Sequence, residues 1–170
     1  MQAERVVRMT TDELRAVYAA IGEFTPLKED CGRLCGAACC EADEDGRGGV
    51  CLLPGEETLL HEADWGEITH EQMMDRPMLI CHDTCDREWR PFLCRVFPLC
   101  PVKGDKGWTV RMDARAKAVC TLSRGGVRSL DPEFVRGCVR AVRLIARDAE
   151  GEKFLSRWAE IEAAFREPLW

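Results

Sequence analysis

No stretch of this 170-residue chain approaches the 18 or more consecutive apolar residues that a membrane-spanning helix needs. The opening residues, MQAERVVRMTTDELRAVYAAIGEF, lack the apolar segment and small-residue cleavage site of a secretory signal. The expectation is therefore a cytoplasmic protein with no membrane association. Also missing are a Gly-rich phosphate loop, a dinucleotide fingerprint and a nucleophile elbow. No site for S-adenosylmethionine is visible. His61 and His70, nine apart in HEADWGEITHEQ, do not make the HExxH pattern of zinc hydrolases, and this stretch reads as a solvated loop and short helix. The net charge of -6 favours solubility and makes nucleic acid and anionic membranes unexpected partners. A protein partner and a small-molecule substrate are left unnamed.

Eleven cysteines set the chain apart. In a reducing cytoplasm structural disulfides do not persist, an odd number cannot pair completely, and a chain of this length buries enough core to need no staples. The remaining composition, 46% hydrophobic and 32% charged, is that of an ordinary globular domain.

The pattern predicts a single small α+β domain. Thr10 and Glu13 form a capping box for a helix over 9–22, on which Leu14, Val17, Tyr18 and Ile21 share a face, with Gly22 and Pro26 ending it. A cysteine-rich, irregular, metal-organised core follows over 29–120. In it EADEDGRGG (41–49) is a solvated turn, VCLL (50–53) and PMLIC (77–81) are short strands, and PGEETLL (54–60) opens a short helix. REWRPFLCRVFP (87–98) reads as another short helix, and GDKG followed by WTVRMD as a turn and a strand. Asp131-Pro132-Glu133 starts a helix expected to run to about Glu150 and break at Gly151. A last helix carries Phe154, Trp158, Ile161 and Phe165 on one stripe, so that 131–168 forms an antiparallel helix pair. Arg136, Arg140, Arg143 and Arg147 lie opposite the apolar face of the first of these helices and read as a solvated face.

CGRLCGAACC (31–40) places four thiols in ten residues. Cys31, Cys35 and Cys39 share one face if the segment is helical, whereas Gly32 and Gly36 favour a tight chelating loop. Either geometry is expected to bring the thiols together, and crowded thiolates repel unless a cation lies between them. Zinc takes four such ligands at about 2.3 Å, and iron–sulfur clusters are likewise held by four thiolates.

A second group follows in Cys81, Cys85 and Cys94. Cys94 falls near the start of a short helix, where the helix end is expected to lower its thiol pKa. Arg90 and Arg95 flank it, as candidates to offset the charge of a thiolate site and to bond its sulfurs.

Taken together, CGRLCGAACC and CDREWRPFLCRVFPL resemble the zinc- or iron-chelating cysteine-cluster family, the YkgJ-type proteins. The features that carry the likeness are Cys31, Cys35, Cys39 and Cys40, then Cys85, Arg90-Pro91, Cys94-Arg95 and Phe97-Pro98. The resemblance covers roughly the middle half of the chain and implies a bound metal, zinc or iron. A related cluster occurs in flagellin lysine N-methylases, where it looks like an iron–sulfur site.

Cys120 is a further ligand candidate, after a strand-like segment. Cys100 reads as a spectator, Cys51 as a small apolar residue in a strand, and Cys138 as core packing with Phe134, Val142 and Ile145. His82 is expected to face solvent beside Cys81. Eight thiols (Cys31, Cys35, Cys39, Cys40, Cys81, Cys85, Cys94 and Cys120) suffice for two four-ligand sites, or for one site plus free thiols. The expectation is a metal-binding protein holding an iron–sulfur cluster, ahead of zinc, for structural, redox-sensing or electron-transfer work. The alternatives are a methylase-like modifying enzyme or its accessory, and metal trafficking.

Overall fold

Local signals fix both ends of the chain. The computed structural model describes residues 8–41, 48–60, 66–73, 76–82 and 85–166. Helix α1 (Thr11–Ile21) starts at the expected capping box: the Glu13 carboxylate accepts from Thr10 N at 2.8 Å, and Glu13 N donates to Thr10 Oγ1 at 3.3 Å. It stops at Gly22, whose φ of 57° suits a residue without a Cβ. Helix α6 (Pro132–Ile145) is capped by Asp131, which accepts from Glu133 N at 2.7 Å, with Pro132 in the first turn.

Between these helices the chain builds two small antiparallel sheets. Strands β1 (Gly48–Cys51), β2 (Gly66–Met73) and β3 (Arg76–Cys81) form a sheet in the order β1-β3-β2, with Val50 and Ile68 both opposite Leu79. Strands β4 (Leu99–Gly104) and β5 (Gly107–Met112) form a hairpin in which Leu99 faces Met112. Five further helices are described: α2 (Gly32–Cys35), α3 (Glu57–Leu60), α4 (Phe92–Val96), α5 (Ala116–Val119) and α7 (Ala149–Ala164). The fold is α+β.

One core joins α1, α4, the β4–β5 hairpin, α6 and α7, around Leu14, Val17, Phe92, Phe134, Cys138, Val142 and Phe154. A smaller one of Leu52, Leu60 and Leu79 lies under the three-stranded sheet, with Cys81 packed against it.

Several expectations are corrected. The stretch read as loop and short helix contains strand β2; its Gly66–Thr69 half pairs along β3. The short helix expected within 87–98, with Pro91 at its start and Pro98 ending it, is the five-residue α4, preceded by a 3-10 turn at Arg87–Trp89. Leu99–Gly104, given no structure from the sequence, is a strand. α6 ends at Ile145 rather than near Glu150, because Asp148 caps a new helix by accepting from Gly151 N at 2.8 Å. Gly151 is thus inside α7. It is needed there, since a Cβ would lie 2.3 Å from the Ile145 carbonyl oxygen. The apolar stripe of α7 fails at its far end: Phe165 is 61% exposed and Glu162 takes the buried position. α7 packs chiefly on β4 rather than on α6. The arginine stripe of α6 is exposed, as expected of a solvated face, with Arg136 paired to Glu133, Arg140 donating to the Ala20 carbonyl and Arg143 to that of Trp108. The turn expected at 41–49 lies largely outside the described residues. Among the described residues no helix is long and apolar enough to cross a membrane.

Candidate metal centre

Gly36 decides the local path of the first cysteine group. It takes φ 65° and closes α2 after one turn, so Cys31, Cys35 and Cys39 do not share a continuous helix face. Cys31 precedes α2, Cys35 ends it, and Cys39 and Cys40 follow in a 3-10 turn over Ala38–Cys40. Cys120 comes from much later in the chain. It follows the short helix α5, not a strand, and its backbone is pinned on both sides: its N–H donates to Ala116 O at 2.8 Å, and its carbonyl accepts from Ser123 N and Oγ at 3.1 and 2.7 Å.

Seven of the eight candidate thiols, Cys31, Cys35, Cys39, Cys40, Cys85, Cys94 and Cys120, line one cavity of about 340 Å³. Cys81 does not line it and sits at the end of β3. None of the eight is in a disulfide. Yet among the described residues no three His, Cys, Asp or Glu side chains stand at ligand distance from a common point. The expected convergence within a few ångströms is therefore corrected: the sulfurs border a shared space without closing on its centre. Their backbones come from five separate segments, each anchored by its own hydrogen bonds. His82 is exposed, 3.9 Å from Glu67. His61 lies outside the described residues. Cys51, Cys100 and Cys138 are buried elsewhere, each with its thiol pushed up to about 12 by burial above all.

The electrostatics of the lining are unequal. Burial raises the Cys31 thiol, with Asp30 and the sulfurs of Cys35 and Cys120 adding to the effect. Burial also raises Cys81, to about 11. Cys94 is the third residue of α4, where a depressed thiol was expected; burial overrides the helix end and drives it far up. A five-residue helix has little dipole to set against desolvation. The tandem pair splits. Cys39 donates to the Cys40 sulfur and is itself pushed up, while that hydrogen bond and then the Arg90 charge bring Cys40 down to about 6.

Arg90 is one of four arginines that line the cavity, with Arg33, Arg87 and Arg95. Burial acts against the Arg90 charge, but the Cys85 sulfur bonded to it and the sulfurs of Cys40 and Cys94 hold its pKa above the ordinary value. Its Nη2 reaches the Cys85 carbonyl at 3.4 Å, and its buried Nε has no hydrogen-bond partner among the described residues. The lining thiols are the donor type a thiophilic metal takes, but among the described residues they do not stand at ligand distance from a common point.

Arg95 has a different place from the one expected. It is buried and spends its guanidinium on backbone: Nε donates to Arg90 O at 2.6 Å, and Nη2 to Arg87 O and Glu88 O at 2.5 and 2.7 Å. It fixes the turn that presents Arg90 and bonds no sulfur. Behind it lie two residues that sequence reading left out of the site. Glu56 is fully buried and accepts from Tyr18 Oη at 2.6 Å, Phe92 N at 2.6 Å and Leu53 N at 2.8 Å. It thus holds the first turn of α4, which carries Cys94. A lone acid between PG and ETLL gave no signal of this beyond its position at a helix start.

Comparison with protein-family models, with curated proteins and with solved structures gives no match.

Proposed function

We propose that this chain is a metal-binding protein whose clustered thiolates hold an iron–sulfur cluster, or zinc in its place, in a reducing cytoplasm. One observation carries the reading: seven thiols border a single cavity, and arginines, Arg90 among them, line it with the thiols. A catalytic cysteine needs one activated thiol and a base, and among the described residues no histidine lines this cavity. The preference for a cluster over a lone zinc rests on the size of the cavity and on the resemblance noted in the sequence. Bound there, a cluster would supply one-electron chemistry or structural support. Arg90 would offset its negative charge, and the Glu56–Arg95 scaffold would keep Cys94 and Arg90 in place. Cys39 is exposed, so the site reaches the surface where an electron or an ion can be exchanged.

The test is anaerobic purification of the full chain, with absorption spectroscopy and elemental analysis. A brown protein with broad absorption near roughly 400 nm and stoichiometric iron and sulfide supports the cluster. A colourless protein carrying zinc supports the alternative. A folded chain holding neither, and taking up neither on reconstitution, overturns the reading.

A further inference from the structure

Five large apolar side chains are exposed among the described residues, and four of them gather at the thiol cavity. Leu34, 70% exposed, and Val119 line it, Phe24 adjoins the lining residue Thr25, and Trp89 adjoins Arg90. Phe165, the fifth, lies at the end of α7. Single exposed apolar side chains are ordinary, whereas a set gathered at one opening marks an interaction surface. The charges beside it are sorted by side. Residues 114–130 hold Arg115, Lys117, Arg124 and Arg128 and no acid, in a chain of net charge -6. Arg115 is paired with Asp113, but Lys117, Arg124 and Arg128 are exposed and enter no ion pair with a described residue. Arg124 follows Thr121 by three residues in a 3-10 helix, so it shares a face with a residue that lines the cavity. The turn over 86–89 has the opposite character. Asp86 and Glu88 are exposed and likewise enter no ion pair, and Glu23 stands beside them, 3.9 Å from Arg87 Nε. The segment 22–26 separates the two edges: Arg87 Nη2 donates to Gly22 O at 3.2 Å, and Asp131, just after the basic stretch, donates its N–H to Pro26 O at 2.8 Å.

We propose that this surface is the interface of a two-fold symmetric dimer, in which Phe24, Leu34, Trp89 and Val119 pack on the same residues of a second copy and the acidic edge of each copy meets the basic edge of the other. The charges decide the occupant. Each copy carries both signs on opposite sides of the 22–26 segment, so one half-turn brings unlike charges together twice, as a self-complementary contact requires. An anionic membrane would meet Glu23, Asp86 and Glu88 as well as the cations. An apolar centre with a charged rim is the usual anatomy of a protein interface. The two thiol cavities then open toward each other across the axis. The proposal does not depend on what those cavities hold.

The experiment is sedimentation velocity on the reduced full-length chain, with circular dichroism and elemental analysis on every sample. The wild-type chain is expected to sediment at twice its 19.2 kDa mass. Its dissociation constant should be about 1 µM or tighter. Leu34→Asp changes a side chain too exposed to matter to the fold and should weaken the dimer roughly tenfold or more. Asp86→Lys with Glu88→Lys, and Lys117→Glu with Arg124→Glu, each set like charges together and should leave monomers. An equimolar mixture of those two double variants should dimerise again, because one then carries two basic edges and the other two acidic ones. Phe165→Ser should keep the wild-type constant. A wild-type monomer overturns the proposal. So does a folded Leu34→Asp chain that dimerises as tightly as wild type, or a mixture of the charge variants that stays monomeric. Wild-type assemblies that grow beyond two copies overturn the two-fold closure. Because metal is counted on the same samples, a metal-loaded monomer sinks the dimer alone, and a metal-free dimer counts against the metal reading alone.

Discussion

The Arg95 guanidinium carbon lies 4.1 Å from the centroid of the Tyr18 ring, and the same ring's hydroxyl donates to buried Glu56 at 2.6 Å. Helix α1 is thereby joined to the turn and helix that carry Arg90 and Cys94. A planar guanidinium can stack on the ring while bonding three carbonyls, and an ammonium cannot. Arg95→Lys is therefore expected to cost about 2–3 kcal/mol, and Tyr18→Phe, which removes only the hydroxyl, about 1 kcal/mol. Urea unfolding measures both. Equal losses would show that the stack and the carbonyl bonds contribute little.

Glu162 is fully buried although it sits on a surface helix. Burial acts to raise its pKa, but Arg166 at 2.7 Å, Arg111, and Ala114 N at 2.9 Å together hold the carboxyl below its ordinary value. The unfolded chain then binds the proton more readily, so this contribution is present above the ordinary carboxylate pKa and is lost as pH falls through the folded value. Glu162→Gln should cost about 2 kcal/mol at neutral pH. The gap from wild type should close below about pH 4. A gap independent of pH would show that the carboxylate charge is not what matters.

Gly151 lets the start of α7 touch the end of α6. Gly151→Ala places a methyl 2.3 Å from the Ile145 carbonyl oxygen and 2.9 Å from its Cγ2. The backbone has to move, at an expected cost of roughly 1–3 kcal/mol despite the better helix propensity of alanine. A rise in melting temperature would contradict the close approach.

The thiols differ enough to be ranked chemically. In metal-free, reduced protein at neutral pH, iodoacetamide should modify Cys40 first, since its thiol is drawn down to about 6. Cys51, Cys100 and Cys138, buried and pushed up to about 12, should react only on unfolding. Peptide mapping after timed quenching gives the order. Arg90→Gln should slow the Cys40 reaction while leaving the three buried thiols protected, and a Cys40 rate unchanged in that variant would remove the arginine from the account.

Much of this molecule is legible residue by residue. The Thr10–Glu13 box and the Asp131-Pro132-Glu133 start are satisfied within a few residues of sequence, so they appear in the fold as expected. Cys51 and Cys138 read as buried because their apolar neighbours recur at the strand and helix periods. What was misread depends on partners that only the fold brings into contact. Strand β2 takes its place from β3, and its own residues carry little apolar alternation. Gly151 looks like a helix breaker until Ile145 is brought against it. Glu56 looks like a surface acid until Tyr18, Leu53 and Phe92 converge on its oxygens.

The thiol site divides along the same line. The number, spacing and crowding of the cysteines, and the arginine beside them, were fixed by the order of residues, because covalent proximity sets the chemistry available. Which thiols share a space, that Cys81 does not line it, that Arg95 spends its guanidinium on backbone carbonyls, and that burial pushes the Cys94 thiol up were decided only by folding. Burial and the placing of charge are properties of the packed molecule, and an isolated segment has neither.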